Sequence, residues 1–321
     1  MKKILTGVIG CGILLVGMGA WWLSTQLQPV SGDTTTVTFI VKKGESAASI
    51  ADRLAEQGLV KNAQVFRYYA RLNDLIPLFQ SGSFQLSPAM DAHQLAQQLT
   101  QGTEDIWITI LEGWRPEEVA TYLLSLGLPE ETQTTLLTAA ETQPQLLYPD
   151  TYLIPRQIEP ATLKSLLENT YQTKIVDQYE SEITASSHSL EELVAMASLV
   201  QREARDPEDM RKVAGILWKR IEIDMPLQVD ATLQYARGQD AQGAWWSPPL
   251  AIDKELDSPF NTYVNVGLPP HAISNFGQAA FSAALNPILG DDLFYIHAPD
   301  GTMYYAQTYD EHLQLVNRYL R

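Results

Sequence analysis

The opening of the chain constrains it most. Ile4 to Leu23 is an uncharged run of 20 residues, about the length that spans a hydrocarbon core as a helix. Lys2 and Lys3 precede it, Trp21 and Trp22 close it, and the next Lys or Arg is Lys42. Cations on one flank and interfacial aromatics on the other predict a single-pass anchor, N-terminus cytoplasmic, with the bulk of the chain outside the cytosol. A cleaved signal peptide competes, but its apolar stretch is normally about 7–15 residues, and Gly17-Met18-Gly19-Ala20 is a weak cleavage site. Val8-Ile9-Gly10-Cys11 superficially fits a lipoprotein cleavage box, yet the apolar run continues past it. Residues 1–3 then form a cytoplasmic tip, 4–23 the transmembrane helix and 24–36 a polar linker.

Beyond the anchor the chain folds without disulfides, since Cys11 is its one cysteine. A length of 321 residues in all suggests two folded units plus extras at roughly 150 residues each, and a 45% hydrophobic composition supplies their cores. A net charge of −16 argues against nucleic acid or an anionic membrane surface as the main partner. It leaves open a neutral or zwitterionic polymer, which is held by hydrogen bonds and stacking. The five histidines show no ligand spacing such as HxxxH, so neither a metal nor another cofactor is expected.

Val37 to Val41 has strand character, Gly44 a turn, and Ala47 to Gln57 a helix closed by Gly58 at the C′ position. Val65–Leu72 and Asp91–Gln101 are further helices, with a short strand at Gly82–Leu86. The same pattern recurs at constant offset: Ile108–Leu111, Gly113, Val119, Ala120, Leu123 and Gly127 repeat the strand, turn glycine, helix and capping glycine. Two copies are too few for a solenoid, and a common βα pattern gives the same spacing by coincidence. The first copy, with its Gly44-Glu45-Ser46 turn and Ile50-Ala51-x-x-Leu54 helix, resembles the LysM-like βααβ-type module of wall-bound proteins. That resemblance implies binding to GlcNAc-containing glycans; a structural spacer is the other reading. The module is assigned to 37–104, a connecting βα subdomain to 105–185 and the remaining domain to 186–321.

That last domain is organised around Leu190–Glu203. Leu193, Met196, Ala197 and Val200 fall at i, i+3, i+4 and i+7, one apolar helical stripe. Glu203 lands on the rim of that stripe, about 60° from its centre. A carboxyl that loses water there favours its protonated form, as a general acid requires near neutral pH. A half-exposed glutamate at a helix end fits the same pattern. Further on, Pro207 opens a helix, Ala231–Ala236 is a short one, and Leu293–Ile296 with Met303–Tyr305 form a hairpin about Asp300-Gly301. Asp230 is placed to cap the Ala231 helix. Trp245 and Trp246 suit either a stacking platform for sugar rings or a loop packing on itself. His271, His297 and His312 are taken as structural.

Four blocks carry a wider resemblance: Ala197–Ala204, Met225–Thr232, Ser258-Pro259-Phe260-Asn261-Thr262-Tyr263, and Gly267-Leu268-Pro269-Pro270 with Ile273 and Gly277. In this order, and together with Glu112-Gly113-Trp114, Tyr148-Pro149-Asp150-Thr151-Tyr152 (expected as a loop) and Asp310-Glu311-His312, they resemble the endolytic murein transglycosylases of the MltG (YceG-like) family. The resemblance spans almost the whole chain, anchor included. It implies an α+β lyase domain that cuts peptidoglycan strands internally and leaves 1,6-anhydro-MurNAc ends, with Glu203 as the catalytic acid. It further implies residence in the bacterial cytoplasmic membrane and work beside penicillin-binding proteins or other wall synthases. Gln228, Asp230, Asn261 and Tyr263 are candidates to hold sugar or N-acetyl groups, each with an equally good structural role. The chain departs from the family at Gln201, where an acid is usual, and at Ala204, His271, Phe276 and Met303. Loss of the acid at 201 would relieve like-charge pressure on Glu203, and Met303 puts a substrate contact in doubt. These departures keep open a catalytically silent glycan-binding scaffold. Asp230, the nearest second carboxylate, keeps open a two-carboxylate muramidase.

Overall fold

Strand β1 (Val37–Val41) alternates as a half-buried strand should: Phe39 and Val41 point into a core while Ile40 faces out. The computed structural model describes residues 17–19, 21–102, 105–156 and 158–320. They fall into two units, Met1–Trp107 with Leu153–Arg156, and Ile108–Tyr152 with Gln157–Arg321. Of the expected anchor, residues 4–16 and 20 lie outside the described residues. Among the described residues no helix is long and apolar enough to cross a membrane.

In the first unit Gly44 takes a left-handed turn at φ +76, where a side chain would be strained. Helix α1 (Ala47–Glu56) then starts on Ser46, whose hydroxyl accepts Ser49 N–H at 3.2 Å. Helix α2 (Ala63–Leu72) starts on Asn62 in the same way. Strand β2 (Gly82–Leu86) returns antiparallel to β1, with Phe39 opposite Phe84. Helix α3 (Ala92–Thr100), opened by an Asp91–Gln94 capping box, closes the unit. Leu54, Phe66, Leu86, Leu95 and Leu99 fill its core.

Strand β3 (Asp105–Thr109) pairs with β4 (Thr151–Pro155). Between them run α4 (Pro116–Ser125) and α5 (Glu130–Ala140). The sequence repeat is therefore a repeat of strand, helix, helix and strand, and its second copy extends further than its residues suggest. Gly113 and Gly127 adopt φ +77 and +84, as Gly44 and Gly58 adopt +76 and +68. Leu128 N–H bonds Leu123 C=O at 3.2 Å just as Leu59 bonds Leu54 at 2.8 Å. Two expectations change. The strand begins at Asp105 rather than Ile108. The Tyr148–Tyr152 stretch is not a loop throughout, because Thr151 starts β4 and Tyr148 is buried with its carbonyl accepting the Tyr152 hydroxyl at 2.8 Å.

Helix α6 (Pro160–Tyr171) widens into a π-helical stretch at Gln172–Asp177, and α7 (Glu180–Ala185) follows. Helix α8 (Leu190–Glu203) is the centre of the second unit. Ser189 and Glu192 form a capping box at its start. Every residue from Leu193 to Val200 is buried, so α8 is enclosed rather than amphipathic as its single stripe predicted. Outside the stripe it carries Val194 and Leu199 together with Ala195 and Ser198, which are small enough for neighbours to approach closely. Ser198 spends its hydroxyl on Ala195 C=O at 2.7 Å and accepts Ile273 N–H at 3.1 Å. Around it pack α9 (Pro207–Glu222), α10 (Asp230–Arg237) and α11 (Gln278–Leu285). The antiparallel hairpin β5 (Phe294–His297) and β6 (Met303–Ala306) and helix α12 (Tyr309–Tyr319) end the chain. The architecture is a mixed α+β fold with small two-stranded sheets.

Candidate active site

Helix α8 ends on Glu203, and Ala204 leaves in extended conformation at φ −141. The glutamate sits where the helix carbonyls converge, which disfavours negative charge. Its side chain joins Arg220, Gln228, Asp230, Tyr263 and Tyr295 around a cavity of about 290 Å³. Burial pushes its carboxyl up to about 7, and the charge of Asp230 acts in the same direction. The hydroxyl of Tyr295, donated to Glu203 Oε2 at 2.9 Å, and the cations Arg202 and Arg220 oppose that rise without cancelling it. Removal from water outweighs two positive charges.

Three of the four candidate substrate residues line this cavity with Glu203. Gln228 is exposed and adopts φ +51, a left-handed conformation costing of order 1 kcal/mol for a residue with a side chain. Its N–H is held by Thr262 C=O at 3.0 Å. Asp230 is exposed and accepts the Tyr263 hydroxyl at 2.6 Å. It does not cap α10: Val229 is the cap residue, and Asp230 is the first helical residue. Asn261 differs. It is fully buried, its amide donates to Lys254 C=O at 3.1 Å and Leu256 C=O at 2.9 Å, and its oxygen accepts Tyr263 N–H at 2.9 Å. An amide so committed to backbone has nothing left for a sugar; Asn261 shapes the turn that presents Tyr263.

The cavity also recruits residues that sequence reasoning missed. Arg220 on α9 is a buried cation. Its Nε donates to Leu293 C=O and its Nη1 to Leu227 C=O, both at 2.7 Å. It thereby ties the segment bearing Gln228 to the start of the hairpin. His297 and His312, taken as structural, line the cavity. Tyr295 and His297 are alternate residues of β5 and share one face, with ring centroids 6.2 Å apart; that alternation was the available signal. Burial and the nearby Arg220 hold His312 below the usual imidazole range. Among the described residues its Nδ1 is buried without a hydrogen-bond partner. Met303 is a core residue. No group of three or more His, Cys, Asp or Glu among the described residues could hold a metal ion.

The two residues before Glu203 fix the end of α8 from the other side. Gln201 donates to Glu112 Oε2 at 3.2 Å and accepts Gly277 N–H at 2.9 Å. The neutral amide serves the Glu112 turn and brings no charge toward Glu203. Arg202 donates to Gly113 C=O at 3.2 Å and lies 3.8 Å from the centre of the Trp246 ring. Trp246 donates to Glu118 at 2.7 Å, and Trp245 lies under Arg115 at 4.5 Å. Both indoles are thus engaged by the protein's own cations, the packing reading of that loop rather than a sugar platform.

A larger groove of about 710 Å³ lies elsewhere in this unit, floored by Leu146, Val176, Leu190 and Val194. Its carboxylates are not gathered in a polar recess: Glu191 is exposed, and Glu168 is paired with Lys164 at 2.6 Å. The smaller cavity, lined by Glu203, is the candidate site.

The match to known proteins covers the same residues. The Endolytic murein transglycosylase of Bacillus subtilis is 29% identical over 96% of this chain and 91% of its own length. That of Streptococcus pneumoniae strain D39 is 27% identical over 92% of this chain, which spans 60% of the relative's length. A crystal structure of a YceG-like protein from Listeria monocytogenes superposes with a TM-score of 0.57 at 26% identity, covering 88% of this chain and 99% of that one. The YceG-like family model matches residues 39–318, from β1 through α12 and so across the whole cavity; the chain belongs to the YceG-like family.

Proposed function

We propose that the chain is a peptidoglycan lytic transglycosylase that cuts MurNAc–GlcNAc bonds within glycan strands, with Glu203 as its one acid–base group. The observation that supports this reading is a single carboxyl pushed up to about 7 by burial, at the wall of a polar cavity. A group that titrates near neutrality can both give and take a proton. Glu203 protonates the glycosidic oxygen and the C1–O bond breaks, releasing the GlcNAc side with that proton. The C6 hydroxyl of the same MurNAc bonds to C1, and its proton returns to the Glu203 carboxylate. The product is a 1,6-anhydro end, and no water is consumed. Because the nucleophile belongs to the substrate, proximity supplies what a second carboxylate does in a hydrolase. Asp230, held by Tyr263, faces the positive charge that develops at C1; Gln228 offers its amide to a hydroxyl or acetamido group.

The first unit, with its strand–helix–helix–strand order, is proposed as a LysM-like glycan-binding module. The 4–23 run is proposed as the anchor that keeps the enzyme beside wall synthases at the cytoplasmic membrane. A two-carboxylate muramidase is the rival, favoured by Asp230 on the same cavity. Digestion of purified sacculi with analysis of ends by mass separates the two. Anhydro ends, lost in Glu203→Gln, support the transglycosylase, and reducing ends the hydrolase. Binding without products leaves the silent scaffold.

A further inference from the structure

We propose that Tyr295 is a positioning residue for the acid: by donating its hydroxyl to Oε2 of Glu203, it reserves Oε1 for the proton that passes to the glycosidic oxygen. The inference rests on Glu203 being that acid. A carboxyl offers two chemically equivalent oxygens, and a general acid that presents the wrong one loses its alignment with the leaving group. Tyr295 removes the equivalence with a bond of 2.9 Å. Among the described residues this is the one hydrogen bond of its hydroxyl. The phenol keeps its proton, since burial and the neighbouring carboxyl hold it well above its ordinary range.

The tyrosine is itself held in place. Its strand partner across the hairpin is Tyr305, whose hydroxyl donates to Asp209 at 2.6 Å in the first turn of α9. On the same strand face the His297 ring meets it edge-on. The other groups acting on Glu203 are Asp230, Arg202 and Arg220, with Tyr263, whose own titration feels Glu203, and His297 and His312 on the cavity wall. None of the hydrogen bonds of these six reaches the Glu203 carboxyl, so among the described residues Tyr295 alone acts on one oxygen rather than on the charge as a whole.

A hydroxyl donated to a carboxylate stabilises its charged form. Removing it raises the pH at which Glu203 loses its proton, so the alkaline limb of the kcat/KM profile moves to higher pH. The full chain is assayed on sacculi as wild type, as Tyr295→Phe and with 3-fluorotyrosine at position 295, a stronger donor. Expected for Tyr295→Phe is a maximal rate lower by ~10-fold or more and an alkaline limb higher by about one pH unit. The fluorotyrosine protein moves the limb the other way. A slower Tyr295→Phe with an unmoved limb would mean that the ring only packs, and the proposal is overturned. If Tyr295→Phe does not fold, the fluorotyrosine protein decides alone: a limb shifted to lower pH supports the pairing and a fixed limb refutes it. Should wild type make no anhydro ends, the function fails separately. Carbon-13 NMR titration of Glu203 then tests the pairing by itself: a midpoint that rises in Tyr295→Phe upholds it, and one that stays refutes it.

Discussion

Glu203→Gln makes a prediction about stability as well as activity, and the two are linked by one number. The Glu203 carboxyl moves from an ordinary value of 4.5 in the unfolded chain to about 7 in the folded one. Each unit is worth about 1.4 kcal/mol, so ionising this group costs the fold up to about 3 kcal/mol. The sign comes from proton binding: between pH 4.5 and 7 the folded state holds the proton that the unfolded state has lost, and stability falls as pH rises. Below pH 4.5 the cost is absent and above pH 7 it is complete. Glutamine has nearly the same shape and never ionises. Urea unfolding, followed by tryptophan fluorescence (Trp114, Trp218, Trp245 and Trp246 all lie in the second unit), gives the difference between variant and wild type at each pH. The variant should gain on wild type from pH 5 to pH 8, by about 2–3 kcal/mol, while losing all release of glycan ends. Titrations of groups remote from Glu203 are common to both proteins and cancel. A difference that stays flat with pH would falsify the claim that the acid is held neutral by burial.

Gly215→Ala should destabilise by roughly 2–4 kcal/mol, because its Cβ would stand 2.1 Å from the backbone oxygen of Ile288; thermal melting reads this directly. Gly277→Ala should cost far less, since its Cβ meets the movable Glu112 carboxylate. Asn261→Ala should cost about 2–3 kcal/mol in chemical unfolding through the backbone groups it strands, with pelleting on sacculi unchanged once the protein is folded. Asp230→Asn takes away a charge that raises the Glu203 carboxyl, so the alkaline limb of its pH–rate profile should move to lower pH, opposite to Tyr295→Phe.

Much of the site was legible because helix period places Glu203 at the rim of the α8 stripe and because the blocks carrying Gln228, Asp230 and Tyr263 resemble those of the family in order. Asn261 belonged to the same block, yet a buried amide that braces a turn and one that meets a ligand are the same letter. Tyr295 was hidden for another reason. Its hydrogen bond to Glu203 spans 92 residues, and in a strand of alternating apolar residues a tyrosine reads as packing. Arg220 shows the limit of periodicity: it occupies a core position of α9, where the converging carbonyls of Leu227 and Leu293 and the Phe294 ring make a cation tolerable. The second strand–helix–helix–strand copy was half visible, its glycines and leucines keeping the turn geometry while its closing strand carried no matching residues.

The titration of the proposed acid is set by opposing contributions from separate parts of the second unit. Burial comes from the packing about α8, negative charge from Asp230 at the start of α10, a donor from β5, and positive charge from Arg202 on α8 itself and Arg220 on α9. None of these alone leaves a carboxyl near neutrality; with burial removed, the two cations and the tyrosine would return it to the carboxylate range. The hairpin is the decisive member, because it contributes Tyr295 and His297 to the wall and its leading residue Leu293 anchors Arg220. If the hairpin opened, water would reach Glu203 and its donor would leave together. Desolvation is the larger of the two contributions, so the carboxyl would ionise at neutral pH and could no longer give up a proton. The proposed acid is therefore competent only in the assembled unit, so a partly folded chain would have no capacity to cut the glycan it is proposed to act on.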